Sequence, residues 1–402
     1  MAIKNAGDAQ SLVDTTEGAH DEVTNILQRM RELAIQAAND TNVSSDRVSL
    51  NAEVSQLTAE IDRIAMQTTW NGVAVLDGSF TGKQMQIGAE AGQVINISVD
   101  SAKSSAIGNY TLKGDAHAVA ANTIDGDDLV VNGYLGSATI GIAANASTKD
   151  VVTSINSSSG STGVSATAVT KAKLSGLSAA ESVAFTLTGD AAATISVTVA
   201  ATSHLGAIKD AINAKSGVTG ITAAFGDDTS EIVLTHLYGE DIAITGMDTT
   251  TSGTTVTLEA LDSDGADLAT PDTATISEGG TATGTVVGQL ALQSIKSFTV
   301  SGDDATGEDG FFGTLNGTTG GGTASLSAIS AVNISTIAGA NNAINAIDGA
   351  LNKINAMRGD LGAVSNRLDH TMSNLGSIQI NIEASQSRIQ DADFAKVTGD
   401  LT

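Results

Sequence analysis

The chain has no cysteine, one proline (Pro271) and only eleven aromatic residues among 402. Without thiols it has no disulfides, iron–sulfur clusters or zinc–thiolate sites. The absence also suits a protein that crosses a narrow export channel unfolded, where oxidation is a hazard. So few aromatics leave little to line a substrate pocket. No apolar run approaches the ~20 residues of a membrane span, and Met1–Gly18 lacks the apolar core of a signal peptide. Basic residues are scarce too: 19 stand against 45 acidic ones, a formal net charge of −26. Residues 110–325 hold 24 acidic and 7 basic side chains, and all seven arginines lie outside them. Phosphate recognition needs clustered Lys or Arg, so nucleic acid and anionic lipid are excluded as partners. The five histidines (His20, His117, His204, His236, His370) show no paired zinc spacing. There is no G-x-S-x-G, phosphate loop or dinucleotide glycine pattern, so neither an enzyme nor a cofactor is expected. His20 and His370 fall in helical flanks, where a solvated position is the default.

What is present is one apolar rhythm, carried by both ends of the chain. Val23, Ile26, Met30, Leu33 and Ala37 recur at steps of three and four, and Leu50, Val54, Leu57, Ile61 and Ile64 continue the pattern. Near the other end Ile344, Ile347, Leu351, Ile354, Leu361, Val364, Leu368, Met372, Leu375, Ile378, Ile382 and Ile389 keep nearly the same step. This spacing lays a narrow apolar stripe along one side of a helix, as in a coiled coil or elongated bundle. A helix from Ile344 to Ile389 would be ~70 Å long. Its stripe needs a cover, and the N-terminal helices (residues 10–38, and from an N-cap at Asp46 to about Gln67) supply one. The ends meet, and the middle is an insertion.

Asn71–Gly72 marks a turn, after which Met85, Ile87, Val94, Ile95 and Ile97 alternate with polar residues around Gly88–Gly92, the pattern of a β-hairpin. From Tyr110 to Ser325 short alternating runs bounded by Gly, Asp and Ser predict strands. They include Leu129–Val131, Ala138/Ile140/Ile142, Phe185/Leu187, Ile195/Val197/Val199, Ile232–Leu234, Ile242/Ile244, Val256/Leu258 and Ile295–Val300. A shift of 57 residues superposes Ile155–Asn156 on Ile212–Asn213, Gly160 on Gly217, Thr162–Val164 on Thr219–Ile221 and Ala166 on Ala223. This is an internal repeat of strand, short helix (Thr148–Asn156; His204–Asn213), glycine turn and strand. Gly317–Thr323 reads as a flexible hinge. The expected class is α+β and multidomain. A helical rod segment with hairpin spans 1–108, and a second helical segment spans 326–402. Between them lies an outward β-rich region, 109–325, with related modules at about 129–168 and 185–246 and a further β segment at 249–325.

Particular residues give this plan a family. Leu27-Gln-Arg-Met-Arg-Glu-Leu-Ala34, Gln36-Ala-Ala-Asn39, Glu60-Ile-Asp-Arg-Ile64 and Thr69-Trp-Asn-Gly-Val73 resemble the first conserved region of bacterial flagellins, with Trp70 where that family usually has Phe. Ile354-Asn-Ala-Met-Arg-Gly-Asp-Leu-Gly-Ala363, Asn366-Arg-Leu368 and Ser387-Arg-Ile-Gln-Asp-Ala-Asp-Phe394 are similar to the C-terminal region. The segment His204–Gly246 looks like the small insertion motif of flagellins and hook-associated proteins. The resemblance implies a structural subunit of an extracellular flagellar filament at the cell surface. Such a subunit assembles with itself, and an export chaperone and a filament cap are further partners of the full-length family. Flagellins carry additional amphipathic helices at both ends, which the segments seen here lack. A trimmed core of this kind is expected to stay monomeric, and filaments grown from the 402-residue chain would refute that.

The resemblance also marks a patch. In flagellins sensed by a Toll-like immune receptor, an Arg and a Leu one turn apart and a Glu on the next helix are recognised, and Arg29, Leu33 and Glu53 stand at those places. Arg29 and Leu33, at i and i+4, share a helix face, and subunit packing is the competing role. The alternating carboxylates Asp262, Asp264 and Asp267 are weak calcium candidates, since the twelve-residue loop with its terminal Glu is missing. Asp125–Asp128 and Asp303–Asp309 fare no better, and turn formation on a solvated surface accounts for all three. Two other functions compete with the filament subunit. One is a flagellin-framed adhesin or polysaccharide-binding protein, motivated by the large middle and opposed by its few aromatics; glycan-array binding by residues 110–325 would favour it. The other is a hook–filament junction protein, against which the flagellin-type run before Trp70 argues.

Overall fold

Thirty-seven residues, Ala2–Ala38, form the first helix, α1, and Ser44–Gln67 form α2. In the computed structural model all residues are described except 89–91, 115–116, 120–127, 252, 269–271, 279–282, 303–310, 313, 316–317 and 320; side chains are also left aside at 117–119, 314–315, 318–319 and 389–396. Pro271, the run Asp303–Asp309, most of Asp125–Asp128, two hinge residues (317 and 320) and the Ile389 side chain therefore lie outside the described residues. The chain divides into two units, residues 1–109 with 327–402, and residues 110–326.

In the first unit α1 buries Leu12, Val13, Val23, Leu27, Met30, Leu33 and Ala37, the 3.6-residue stripe continuing toward its start. Asp46 does not cap α2, as the sequence suggested. It sits one turn inside, where its carboxylate accepts the Val43 N–H at 3.4 Å. Beside it the buried Arg47 donates to the carbonyls of Ala37 (2.8 Å) and Asn39 (3.1 Å), satisfying acceptors that the end of α1 leaves open. The C-terminal helix, Ile337–Leu401, begins with the Thr336 hydroxyl accepting the Gly339 N–H at 3.0 Å. Its 65 residues make it about 100 Å long. Ile347, Ile354, Leu361 and Leu368 enter one core with Leu27, Met30, Val54 and Ile61 of α1 and α2. Strands β1 (Lys83–Gln86) and β2 (Val94–Ile97) form the antiparallel hairpin, with Met85 opposite Ile95. Asn71 and Gly72, both at positive φ, make the two-residue turn between Thr69–Trp70 and Val73–Ala74.

The second unit carries the repeat. In the first module β3 (Leu129–Asn132) and β4 (Ser137–Ile140) precede α3 (Thr148–Ser157) and β5 (Ser165–Ser175). In the second, β6 (Ser182–Thr188) and β7 (Ala192–Thr198) precede α4 (Gly206–Asn213) and β8 (Ile221–Phe225). The same fastening recurs. Asn156 accepts the Ala166 N–H at 2.8 Å and donates to its carbonyl at 3.0 Å, and Asn213 does both to Ala223 at 2.8 Å. Gly163 and Gly220 end the helical turns at φ 73° and 71°. Strand β5 is central. Its second half pairs with β9 (Ile232–His236) on one edge and β11 (Thr255–Leu261) on the other, and its first half with β14 (Gln289–Ser294). In the same sheet β12 (Thr273–Ser277) lies beside β11, and a second sheet runs β7, β6, β10 (Ile242–Thr249), β13 (Gly284–Val287) and His117–Val119. The strand expected at Ile295–Val300 is only β15, Thr299–Ser301.

Candidate assembly surface

The seam between α1 and the C-terminal helix is apolar within and polar at its margins. Arg31 Nε reaches Asp348 Oδ1 at 2.6 Å, Arg358 Nη2 reaches Asp21 at 2.9 Å and Glu17 at 3.4 Å, and Gln10 donates to the Ser365 hydroxyl at 2.8 Å. Lys353 donates to the Ala106 carbonyl at 2.7 Å, and Asp62 of α2 accepts the N–H and hydroxyl of Ser104, both at 2.8 Å. These contacts set the register in which the two ends of the chain run together.

The cover stops before the stripe does. Leu368 is fully buried and Met372 packs against the core, but Ile378, Ile380 and Ile382 are 44%, 67% and 61% exposed, and Val397 and Leu401 are exposed as well. The expectation that the N-terminal helices clothe the whole stripe is corrected: the shared core ends at Leu368 and Met372. Ile378 and Ile382, at i and i+4, continue the stripe on one helix face, whereas Ile380 lies on the other side, and the uncovered pair is the main candidate surface of the first unit.

The marked patch divides. Arg29 donates to Glu53 from Nε at 2.9 Å and to Glu32 from Nη1 at 3.1 Å, tying α1 to α2 at a half-exposed surface. Hydrogen bonds to Glu53 and Glu32 raise the pKa of Arg29 above its ordinary value. Leu33 is not beside it on the surface: at 1% exposure it belongs to the core. Met30, Leu33 and Ala37 are successive inward positions, so Leu33 faces inward with the stripe and Arg29 stands at its edge.

His20 overturns another expectation. It is fully buried, and burial first, then the charge of Arg358, lowers its pKa to about 4, with Asp21 opposing. The spacing Thr16, His20, Val23, Leu27 already put it on the stripe; its polarity concealed that. His370 is exposed. In the second unit Asp264 pairs with Lys113 (3.2 Å) and Asp267 with Lys173 (2.6 Å), while Asp262 accepts the N–H groups of Asp264 (2.9 Å) and Ala266 (2.8 Å). Among the described residues no three His, Cys, Asp or Glu side chains converge as metal ligands, and no described helix is long and apolar enough to cross a membrane.

Known proteins resemble this chain in sequence. The bacterial flagellin N-terminal helical region matches residues 1–81, the bacterial flagellin C-terminal helical region matches 344–402, and the flagellin hook IN motif matches 128–179 and 182–236. B-type flagellin of Pseudomonas aeruginosa is 34% identical over 411 aligned positions, covering 100% of this chain and 82% of that protein. Flagellin B of Vibrio cholerae is 30% identical, covering 100% and 76%. Among solved structures, flagellar hook associated protein-3 of Legionella pneumophila aligns over 97% of this chain and 96% of that one, at 13% identity and a TM-score of 0.42 too low to argue from. With its paired helical ends and doubled insertion motif, the chain belongs to the bacterial flagellin family and is a structural subunit of the extracellular flagellar filament.

Proposed function

We propose that copies of this chain assemble by packing helices of their neighbours onto the uncovered part of the C-terminal helix. The observation that carries this reading is the change along one stripe, from complete burial at Leu368 to 44% and 61% exposure at Ile378 and Ile382. Apolar surface left open on a subunit gains free energy when a neighbour covers it, at about 25 cal/mol per Å². Folding of the seam and association then draw on one periodic pattern. The acidic second unit, with its small side chains, is the part displayed. Export chaperone and filament cap remain partners by family likeness.

The test is Ile378→Asp with Ile382→Asp in flagellin-deficient cells producing the chain. The expected result is a folded subunit of unchanged melting temperature and no filaments by electron microscopy, against filaments from the unmodified chain. Full-length filaments from the double variant would overturn the reading, as would a strictly monomeric unmodified chain, the outcome anticipated from sequence.

A second reading concerns the Toll-like receptor. Arg29 and Glu53 are the surface part of the patch, and Leu33 supports the helix from beneath. Arg29→Ala should reduce receptor signalling at unchanged stability; undiminished signalling would end it.

A further inference from the structure

His20 is the one titratable side chain among the buried residues of α1. Neither ring nitrogen meets a hydrogen-bond partner within the protein. An aliphatic side chain would fill this place without burying an unpaired polar atom, so stability alone does not account for an imidazole here.

The charges around it are few. On α1 stand Glu17 and Asp21. On the C-terminal helix stands Arg358, whose Nη2 reaches both carboxylates and whose Nε is buried without a partner. Lys353 of that helix is engaged by the Ala106 carbonyl. From α2 come Asp62, held by Ser104, and the surface pair Glu60–Arg63 at 2.5 Å. The cation nearest in kind to a protonated ring is thus Arg358, and the anions beside it are already committed to Arg358.

We propose that His20 is an acid-operated release point in the helical seam: a proton on its ring sets a second cation beside Arg358 within the apolar core and parts α1 from the C-terminal helix. The sign follows from linkage. The ring takes up its proton near 6.5 in the unfolded chain and at about 4 when folded. Its contribution is therefore complete above pH 6.5 and is lost as pH falls toward 4. By linkage, the ratio of folded to unfolded chain drops by roughly 80-fold between pH 6.5 and 4, and by roughly 300-fold in all once pH is well below 4.

The experiment compares urea unfolding of the full chain and of His20→Leu at intervals between pH 7 and pH 4. The unmodified chain should lose roughly 40-fold more of its folded-to-unfolded ratio than His20→Leu between pH 6.5 and about 4.5, because carboxylate titration is common to both. Equal losses in the two chains would overturn the proposal. Proton NMR of the unmodified chain gives an answer that does not depend on the variant folding. The imidazole resonance missing from both His20→Leu and His20→Gln should titrate near pH 4, and a ring titrating near 6.5 in the folded chain would also overturn it.

Discussion

Arg31 Nε lies 2.6 Å from Asp348 Oδ1, a residue 317 positions further along the sequence, joining α1 to the C-terminal helix. Both side chains are more than 40% exposed, so the pair contributes little energy, about 0.2–1 kcal/mol, and less in salt. The neighbouring Ile354 is fully buried in the same seam. Ile354→Ala should cost about 2–5 kcal/mol through lost transfer energy and a residual cavity. Urea denaturation of Arg31→Ala, Asp348→Ala, their double variant and Ile354→Ala ranks the effects. If Arg31→Ala proved costlier than Ile354→Ala, apolar packing would not be what holds the ends together.

The asparagine fastenings of the repeat predict a matched pair of losses. Asn156 and Asn213 each supply a donor and an acceptor to one residue of the following strand. Alanine at either strands a backbone N–H and C=O at the start of that strand. The cost should be about 1–3 kcal/mol for each, measured by thermal or urea unfolding. Similar values at both positions are expected because the geometry is the same; an effect in one module alone would break the equivalence.

How much of this was legible in the sequence depends on how each residue signals burial. The seam was readable because Leu, Ile, Val and Met at steps of three and four leave few alternatives, and Asn156/Asn213 and Gly163/Gly220 announced the repeat by recurring at one interval. Strand β5 was read only as the short strand closing the first repeat, to about residue 168, although its burial alternates along its whole length to Ser175. Its inward residues include Ala166, Ala168 and Ala172, too small to stand out from a Ser/Thr/Ala-rich background. Gly284–Val287 is buried at every position, so alternation had nothing to report. His20 failed because it is a polar residue at an inward position, whereas Leu33 was read correctly as part of the stripe and only the resemblance set it beside Arg29 in a surface patch.

Glycines of the second module separate two causes of intolerance. Gly220 has φ 71°, and a Cβ there would lie 2.4 Å from Asp190 Oδ2 and 2.6 Å from His236 Nε2. Gly217, three residues earlier, has ordinary φ, and a Cβ there would meet nothing within 4 Å. Gly220→Ala should destabilise by more than ~1 kcal/mol through the left-handed backbone and the displaced Asp190 and His236. Gly217→Ala, in a short helical turn, should be neutral or slightly stabilising. Melting temperatures of the two variants test this, and equal shifts would mean that neither backbone conformation nor close approach matters at Gly220.

The most buried pair of a lysine and a carboxylate among the described residues yields a prediction with two separable parts. Lys173 on β5 stands directly opposite Glu259 on β11, with Nζ 3.0 Å from Glu259 Oε2 and 2.6 Å from Asp267 Oδ1. Burial disfavours the ammonium, but hydrogen bonds and charge from Asp267 and Glu259 outweigh it and raise the pKa of Lys173 above 10.5. The stability this brings is whole below pH 10.5 and is lost as pH rises beyond it. Lys173→Met should abolish that alkaline component and, by stranding the Glu259 carboxylate, cost about 3–5 kcal/mol at neutral pH. Lys173→Met with Glu259→Leu should recover most of the loss, since two apolar side chains of similar volume replace the pair without leaving a charge behind. Urea unfolding at about pH 7 and above pH 10.5 reads both parts. If the double variant is no more stable than the single, the cost lies in lost attraction and not in a stranded carboxylate, and the ion pair itself holds β5 to β11.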